Sequence, residues 1–529
     1  MKRLNLILAI PFVCCCFSIN AQTTFQKTYG GGDSDFGYSS KQTTDGGYII
    51  TGHTTSFGDV GLSWENVLLI KTDSNGDTLW SKTYGRSLVQ EGYSVQQTTD
   101  GGYIILGYTA YGVQGNDVYL IKTNDSGDVQ WTKKYDRGFD DKGYSVYQTT
   151  DGGYIFTGYA QGPGSLYLIK TDSSGVILWT NIYNGPNTET GYSVQQTTDG
   201  GYIVAGETDG FGAGQKDVFL IKTDSTGVVL WTKTFGGTNS DFGRSVQQTT
   251  DGGYIITGAT MSFGAGNQDI YLIKTDDIGD TLWTKTFGGL LDEVGYSVRQ
   301  TADGGYIITG YTESFGAGLK DVYLIKTNGS GDTLWTKAYG GTGVDEGHSV
   351  EQTSDGGYVI TGNTGIGIGQ SSVYLIKTDA NGIVDCSQFP TATIVGNPAT
   401  QSGNTSVSGI NSGIYAVPTG TLVTSAAPSD SVICLTVGIP EAGFDIENLI
   451  VYPNPSSGRF TLEMQITEAQ DVVLKIISIL GQEVYVEKRK LNPGIYRKEI
   501  DIRAHAKGIY LLQITTRRGV MSKRIVLEQ

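Results

Sequence analysis

The sequence is dominated by one stretch, GYSVQQTTDGGYIITG, which returns with small changes seven times before residue 362. Its Asp-Gly-Gly turn begins at Asp45, Asp100, Asp151, Asp199, Asp251, Asp303 and Asp355. Successive copies are therefore 55, 51, 48, 52, 52 and 52 residues apart. A nearly constant period in this range is typical of a repeat architecture, so the chain is constrained to build one structural unit seven times.

One copy, residues 244–288, illustrates the expected unit. Residues 244–249 and 254–260 flank the turn Thr-Asp-Gly-Gly and predict a β-hairpin. Residues 270–273 are apolar on both faces, and the turn TDDIGD then leads into residues 282–287. Each repeat thus predicts four short antiparallel strands whose middle members are covered on both sides. We therefore expect an all-β fold, a seven-bladed β-propeller of four-stranded antiparallel blades.

Tryptophan recurs at one place in the predicted fourth strand, and we interpret these side chains as wedges between neighbouring sheets: Trp80, Trp131, Trp179, Trp231, Trp283 and Trp335. Residues 24–30 align with residues 80–85 and have Phe25 in the tryptophan place. The seventh repeat lacks this strand and reads Ile-Val-Asp-Cys at 383–386. The sequence therefore predicts that the N-terminal strand completes the last blade and closes the ring.

Residues 1–21 have the features of a secretory signal peptide: a basic start, an apolar run and a small-residue end. We place cleavage between Ala21 and Gln22; a lipidated cysteine among residues 14–16 is the alternative. The propeller is predicted over 22–385 and a linker rich in Ser, Thr, Gly and Pro over 386–445. Cys386 and Cys434 are the cysteines that remain after cleavage, and we expect them to form a disulfide; two free thiols are the alternative.

Residues 446–529 change to seven short alternating strands, which suggests a small C-terminal Ig-like β-sandwich. Four motifs occur there in order; their main residues are Tyr452, Pro453, Asn454, Pro455 and Gly458, then Gly481, then Gly508 and Tyr510, and finally Lys523. Together they resemble the type A sorting domain of the type IX secretion system of the Bacteroidetes. The resemblance implies that the secretion machinery is a partner, and that the protein passes the periplasm and is then secreted or attached to the outer-membrane surface.

The seven repeats are similar to the Asp-Gly-Gly-Tyr propeller repeats of large surface proteins that carry this sorting tail. That resemblance implies a fold and no reaction. The net charge of −16 and the pI of about 4.7 do not favour a nucleic-acid partner. Apart from the leader, no segment has the ~18 apolar residues of a membrane span, so we do not expect an integral membrane protein.

Six of seven equivalent positions near the predicted channel mouth are carboxylates, and the seventh is Gln90: Asp35, Asp141, Glu189, Asp241, Glu293 and Asp345. Such a ring could hold calcium. The alternative is that each side chain caps its own turn through a backbone N–H. No other metal site, cofactor or catalytic residue is predicted, because the three histidines lack metal-ligand spacing.

The sequence therefore favours a secreted or surface-attached module that binds or adheres to a glycan or protein and is not an enzyme. One alternative is a polysaccharide-degrading enzyme with acids at the channel mouth. Another is a structural spacer without a specific ligand. The sameness of the repeats argues against catalysis; Arg244 and His348, which replace the usual Tyr before Ser-Val, are the clearest departures from it.

Overall fold

The structure, a computed structural model, describes residues 22–57, 65–85, 89–110, 115–136, 140–161, 164–365, 370–384, 388–389, 394–396, 401–404, 409–411, 415–418, 422–425, 429–437, 446–452, 458–466, 468–478, 483–516 and 519–527. These residues contain β-strands and no helix. They divide into two compact units, Gln22–Gly438 and a C-terminal unit that begins at Ile439.

The repeats supply 28 strands: β1 (Thr23–Gly30), β2 (Asp35–Gln42), β3 (Tyr48–Thr54), β4 (Asn66–Thr72), β5 (Thr78–Gly85), β6 (Gln90–Gln97), β7 (Tyr103–Thr109), β8 (Asp117–Thr123), β9 (Val129–Asp136), β10 (Asp141–Gln148), β11 (Tyr154–Ala160), β12 (Ser165–Thr171), β13 (Ile177–Tyr183), β14 (Glu189–Gln196), β15 (Tyr202–Thr208), β16 (Asp217–Thr223), β17 (Val229–Gly236), β18 (Asp241–Gln248), β19 (Tyr254–Thr260), β20 (Asp269–Thr275), β21 (Thr281–Gly288), β22 (Glu293–Gln300), β23 (Tyr306–Thr312), β24 (Asp321–Thr327), β25 (Thr333–Tyr339), β26 (Asp345–Gln352), β27 (Tyr358–Thr364) and β28 (Ser372–Thr378).

These strands form seven antiparallel sheets, as the repeat count predicts. Sheets 1 to 6 each begin with four consecutive strands, β2–β5 in sheet 1 and β22–β25 in sheet 6, and sheet 7 contains β26, β27, β28 and β1. The second and third strands are buried along nearly their whole length on both faces, for example Tyr254–Thr260 and Asp269–Thr275. The apolar runs that lack alternation therefore correspond to doubly covered strands.

The Asp-Gly-Gly turn is a structural device in every repeat. In sheet 5, Asp251 accepts hydrogen bonds from Thr249 Oγ1 at 2.5 Å, from the Gly253 N–H at 3.1 Å and from Lys274 Nζ at 3.1 Å. Burial alone would raise the pKa of the Asp251 carboxyl, but these three donors outweigh it and hold the pKa below its usual value. Gly252 has φ +89°, a conformation that glycine adopts without strain. The motif that identifies the repeat thus joins its first hairpin to the buried lysine of its third strand.

The hydrophobic core lies between neighbouring sheets. Between sheets 4 and 5, the ring centroids of Trp231 and Tyr254 are 5.8 Å apart. A β-carbon on Gly279, at the last turn of sheet 5, would lie 2.7 Å from the Trp231 ring. Trp231 is half-buried rather than fully buried. The tryptophans are therefore wedges between sheets, as predicted, but they stand at the outer end of the core.

The sheets contact one another in chain order, and the last contacts the first. The side chain of Gln97 in sheet 2 accepts from Thr44 N of sheet 1 at 2.9 Å, and Gln42 of sheet 1 accepts from Ser354 N of sheet 7 at 2.8 Å. The same glutamine position makes this contact at every junction. The cycle of contacts is therefore closed.

The N-terminal strand completes sheet 7, which confirms the prediction from the repeat register. β1 pairs with β28 from Phe25 opposite Lys377 to Tyr29 opposite Val373. Phe25 and Tyr29 are fully buried, and Tyr29 donates a hydrogen bond to Gly76 O of sheet 1 at 2.6 Å. The first strand of the unit thus joins its last sheet to its first.

The segment expected to be a linker instead supplies seven further strands: β29 (Gln388–Phe389), β30 (Ile394–Gly396), β31 (Gln401–Asn404), β32 (Gly409–Asn411), β33 (Tyr415–Pro418), β34 (Leu422–Ser425) and β35 (Ser429–Val437). Each adds an antiparallel fifth strand to a different sheet, in the order 6, 5, 4, 3, 2, 1 and 7. We call residues 388–437 the belt. It visits the sheets in reverse chain order and covers the outer edge of each fourth strand, so each sheet has five strands rather than four.

The C-terminal unit contains β36 (Ile446–Tyr452), β37 (Arg459–Ile466), β38 (Gln470–Ser478), β39 (Glu483–Leu491), β40 (Gly494–Asp501), β41 (Gly508–Thr516) and β42 (Gly519–Leu527). They form a three-stranded sheet, β36-β37-β40, and a four-stranded sheet, β39-β38-β41-β42. A single core that includes Phe460, Leu474 and Leu512 takes side chains from both sheets. The seven strands predicted for this region are present.

The sorting-motif residues within the described ranges serve this unit. Gly458 has φ +95° and accepts a hydrogen bond from Ile502 N at 2.8 Å. Tyr510 is buried and donates to Ala506 O at 2.6 Å. Gly508 also has a positive φ, +143°, and Tyr452 and Lys523 are exposed. Pro453, Asn454, Pro455 and Gly481 lie outside the described residues.

Candidate functional site

Every first strand of the seven sheets contains a β-bulge at one position. In sheet 5, Gly243 pairs with Gly258 and Ser245 pairs with Thr257, so Arg244 between them has no partner across the ladder. A β-carbon on Gly258 would lie 1.7 Å from Phe242 O, which explains the glycine opposite the bulge. Bulges re-aim a side chain and are common beside functional sites. The seven bulge residues are Tyr38, Tyr93, Tyr144, Tyr192, Arg244, Tyr296 and His348.

These seven side chains, which we call the bulge ring, lie at the inner edge of the sheets, and six of the seven neighbouring pairs are in contact. Ring centroids are 4.9 Å apart for Tyr38 and Tyr93, 5.3 Å for Tyr93 and Tyr144, and 5.2 Å for Tyr144 and Tyr192. The Arg244 guanidinium carbon lies 4.0 Å from the centre of the Tyr192 ring. His348 is 4.8 Å from Tyr296 and 5.4 Å from Tyr38. The described side chains thus form a half-buried aromatic surface interrupted by one cation and one imidazole.

The cation is held in place by neighbouring polar groups. Arg244 Nη2 is 3.6 Å from Glu207 Oε2, and Lys216 Nζ is 2.7 Å from Glu207 Oε1. Two cations share one carboxylate, so this side of the bulge ring has an excess positive charge. A cation stacked on a tyrosine is a fixed recognition element rather than a mobile surface group.

The imidazole is neutral at neutral pH because burial lowers the pKa of His348. His348 Nε2 is 2.7 Å from Asn363 Oδ1 and 3.7 Å from Glu346 Oε2. Lys320 donates to Glu346 Oε1 at 2.9 Å. At this position the tyrosine of five other sheets is thus replaced by a smaller ring, which lies within hydrogen-bonding distance of Asn363.

A third polar cluster lies beside sheets 1 and 2. Glu91 accepts hydrogen bonds from Tyr93 Oη at 2.7 Å and from Tyr108 Oη, and His53 Nδ1 is 3.7 Å away. Burial and the Glu91 charge raise the pKa of Glu65 to about 7. Lys142 Nζ lies 4.4 Å from the centre of the Tyr108 ring, so this side holds two carboxyl groups and one cation, whereas the Arg244 side holds two cations and one carboxylate.

The six carboxylates predicted to form a ring are buried beside the turns that precede their first strands. Asp241 Oδ2 accepts from the Gly237 N–H at 2.8 Å and from Ser262 Oγ at 2.7 Å, and Glu293 Oε2 accepts from the Gly289 N–H at 2.7 Å. Asp35, Glu189 and Asp345 accept in the same way from the N–H of Gly31, Gly185 and Gly341, so five of the six carboxylates cap the turn before their first strand. In the described residues, no group of three or more His, Cys, Asp or Glu side chains is placed to hold a metal ion.

Three of these carboxylates meet a second buried acid from the preceding sheet, which sequence reasoning missed. A β-carbon on Gly236 would lie 2.1 Å from Asp217 Oδ1 and 2.6 Å from Asp241 Oδ2, so the two carboxylates flank one α-carbon. The other two pairs are Asp269 with Glu293 and Asp321 with Asp345. At the equivalent place beside Gly85 the pair is Asn66 with Gln90. The sequence did offer a signal for these second acids, because most third strands begin with an aspartate.

These junction pairs predict that stability is highest near pH 4 rather than at neutrality. Burial and the neighbouring acid raise the pKa of Asp269 and of Asp321 to about 6. Because unfolded aspartate titrates near pH 4, the native state binds extra protons between about pH 4 and 6, and stability falls as pH rises through that window. Asp45, Asp151, Asp199 and Asp303 act oppositely, since their pKa of about 2 adds stability that is lost below about pH 4. Melting temperature measured against pH tests this.

The variant D217N/D269N/D321N is the matched control for that profile, because Asn66 already occupies the equivalent position. It is expected to reduce the decline between pH 4 and 6, of which Asp117 with its pKa of about 6 keeps a part, and to leave the loss of stability below pH 4 unchanged. A decline of the same size in the variant would contradict the assignment to these pairs.

Several predicted features lie outside the described residues: Ala21 and the rest of the predicted signal peptide, Cys386, and the side chain of Cys434. The disulfide and the cleavage between Ala21 and Gln22 therefore stay predictions. Among the residues that are described, none belongs to a helix long and apolar enough to cross a membrane.

Comparison with known proteins identifies a known family in the C-terminal part of the chain. Residues 450–528 match the family described as the secretion system C-terminal sorting domain. A regulatory protein, FlaEY of Caulobacter vibrioides, is 26% identical over 152 residues, which cover 24% of this chain and 16% of that protein. A crystal structure of a tetra-tandem repeat in the extending region of a large adhesion protein aligns over 92% of this chain and 93% of that one, with 11% identity and a TM-score of 0.14, too low to support an argument.

The fold and the sorting domain together define a class: an exported all-β repeat protein. The sorting domain indicates export by type IX secretion to the cell surface or the extracellular space, and it implies recognition by that machinery.

Proposed function

We propose that the protein is a glycan-binding module of the cell surface, in which the seven sheets are the blades of a β-propeller and the bulge ring is the binding surface. An Ig-like C-terminal sandwich serves export. The observation that carries the proposal is the bulge ring itself: seven aromatic or cationic side chains aimed inward by seven bulges. Tyrosine presents a rigid, amphipathic surface at little entropic cost, which suits the apolar faces and hydroxyls of sugars.

The asymmetry of the bulge ring supports a specific ligand rather than a spacer role. Arg244 lies over Tyr192, and the acid pair Glu65 and Glu91 lies beside sheets 1 and 2. A glycan with an acidic substituent would place that group at Arg244. A spacer has no need for a guanidinium stacked on a tyrosine in an otherwise aromatic ring.

The proposal is tested with a glycan array and the variant Arg244→Tyr, which introduces the residue found at this position in five other sheets and should therefore fold. Loss of a charge-assisted hydrogen bond costs about 1.5–3 kcal/mol, so affinity for an acidic glycan should fall about tenfold or more. Arg497→Tyr, in the C-terminal unit, is the control and should bind as the unaltered protein does. Equal binding by both variants, or no glycan binding by the unaltered protein, would refute the proposal.

The second candidate function is hydrolysis of a polysaccharide. One observation favours it: a pKa of about 7 suits Glu65 to donate a proton near neutrality, with Glu91 beside it. Incubating bound glycans with the protein and measuring new reducing ends distinguishes the two. Turnover that is lost in Glu65→Gln would favour the enzyme.

A further inference from the structure

A second, separate site lies further along the inner strands, past the bulge ring. A cavity of about 240 Å³ is lined by residues of all seven first strands. Its wall has two levels. The first is formed by five of the serines that follow the bulge residues: Ser39, Ser94, Ser145, Ser193 and Ser349. The second is formed by residues two positions further on, among them Lys41, Arg299 and Glu351.

The serines present hydroxyl groups whose hydrogen atoms are free to turn inward. Ser39 Oγ accepts from Val95 N at 3.4 Å, and Ser145 Oγ accepts from Val194 N at 3.2 Å. The same contact recurs at Ser94, Ser193, Ser245 and Ser297. Since each oxygen accepts from the next sheet, its own O–H is the group left to donate. The first level of the cavity is therefore rich in donors.

The second level carries an uncompensated positive charge. Lys41 is paired with Glu351, whose other oxygen accepts from Gln42 N at 3.2 Å. Arg299 Nη1 donates to Val298 O at 2.7 Å and to Ser245 Oγ at 3.4 Å, but its guanidinium forms no ion pair with a described residue. Burial lowers the pKa of Arg299, and the negative charge of Glu351 offsets only part of this effect. Arg299, which is half-buried, and Lys41 together face the single carboxylate of Glu351, so one positive charge of the cavity wall is left for an anion to balance.

We propose that this cavity binds an oxyanion, held by the Arg299 guanidinium and the serine hydroxyls. The group is a sulfate, phosphate or carboxylate, either as a free ion or as a substituent of a glycan. A planar guanidinium binds two oxygens of such a group at once. In a protein of net charge −16 this is a local reversal of sign.

The test is thermal unfolding of the full protein in inorganic sulfate against chloride at equal ionic strength. A ligand that binds only the native state raises the melting temperature. Arg299→Gln is the diagnostic variant, because Gln96, Gln195 and Gln247 hold the same position in other sheets and the variant should fold. Its affinity for sulfate should fall about tenfold or more.

Lys490→Gln, an exposed lysine of the C-terminal unit, removes the same charge and should keep the sulfate effect. Repeating the titration with inorganic phosphate and with a sulfated disaccharide identifies the source. Tighter binding of the disaccharide assigns the cavity to a glycan substituent, and equal or weaker binding assigns it to a free ion. No sulfate effect in the unaltered protein, or an undiminished effect in Arg299→Gln, would overturn the proposal.

Discussion

Deletion of residues 22–30 is expected to leave the repeat unit unfolded. β1 is hydrogen-bonded on both edges, to β28 and to β35. Phe25 and Tyr29 are fully buried, and removing each large aromatic side chain from a core costs about 3–5 kcal/mol. Together with the lost backbone pairing, this loss is comparable to the whole free energy of unfolding of a typical domain, ~5–15 kcal/mol. Circular dichroism and melting temperature of the deletion variant would measure the effect.

A synthetic peptide of residues 22–33, added to the deletion variant, provides the control. Because the groove between β28 and β35 is complementary to this segment, the peptide should restore part of the fold in a concentration-dependent way. A deletion variant that melts at the temperature of the intact protein would show that β1 is not needed to join the last sheet to the first.

Truncation after Val384 is expected to lower the melting temperature and to cause self-association. It removes the belt and exposes an outer strand edge on every sheet, because each belt strand pairs with a fourth strand or, in sheet 7, with β1. Each lost backbone hydrogen bond costs roughly 0.5–1.5 kcal/mol, and an unpaired edge is a template for another chain. Light scattering and thermal unfolding of residues 22–384 would show both effects.

The matched control ends at Gly438, which keeps the belt and removes the C-terminal unit. Gln22–Gly438 is a compact unit, so this variant should stay monomeric and melt close to the temperature of the full protein. If residues 22–384 behave in the same way, the belt contributes neither stability nor protection of the edges.

Much of the fold followed from local pattern. The period of about 52 residues, the turn residues and the doubly apolar strands predicted the seven sheets, and the missing fourth strand of the last repeat predicted its replacement by β1. The wedge position of the tryptophans followed as well, although their half-exposure did not. Each of these features depends on residues within one repeat or on comparing repeats.

The candidate sites were predictable only in part. Arg244 and His348 stood out as departures from the repeat, yet nothing local shows that they lie on bulges that turn them inward, because a bulge exists only relative to a partner strand. The junction acids were half-predicted: Asp241 was singled out, but its partner Asp217 is 24 residues earlier and in another sheet. Nothing in the sequence distinguished Arg299 as a candidate binding residue.

What the sequence determined by itself is the repeated unit, since turn chemistry and strand patterning act between near neighbours and are written in every copy. The tertiary structure alone decided the belt, the bulge ring and the charged cavity. Backbone pairing by the belt requires no particular side chain, so its sequence, which is rich in Ser, Thr and Gly, is typical of a linker. Its strands form only because the folded repeats offer seven strand edges for pairing. The two sites exist only because seven first strands converge, which brings together residues up to 310 positions apart, as in the pairing of Lys41 with Glu351.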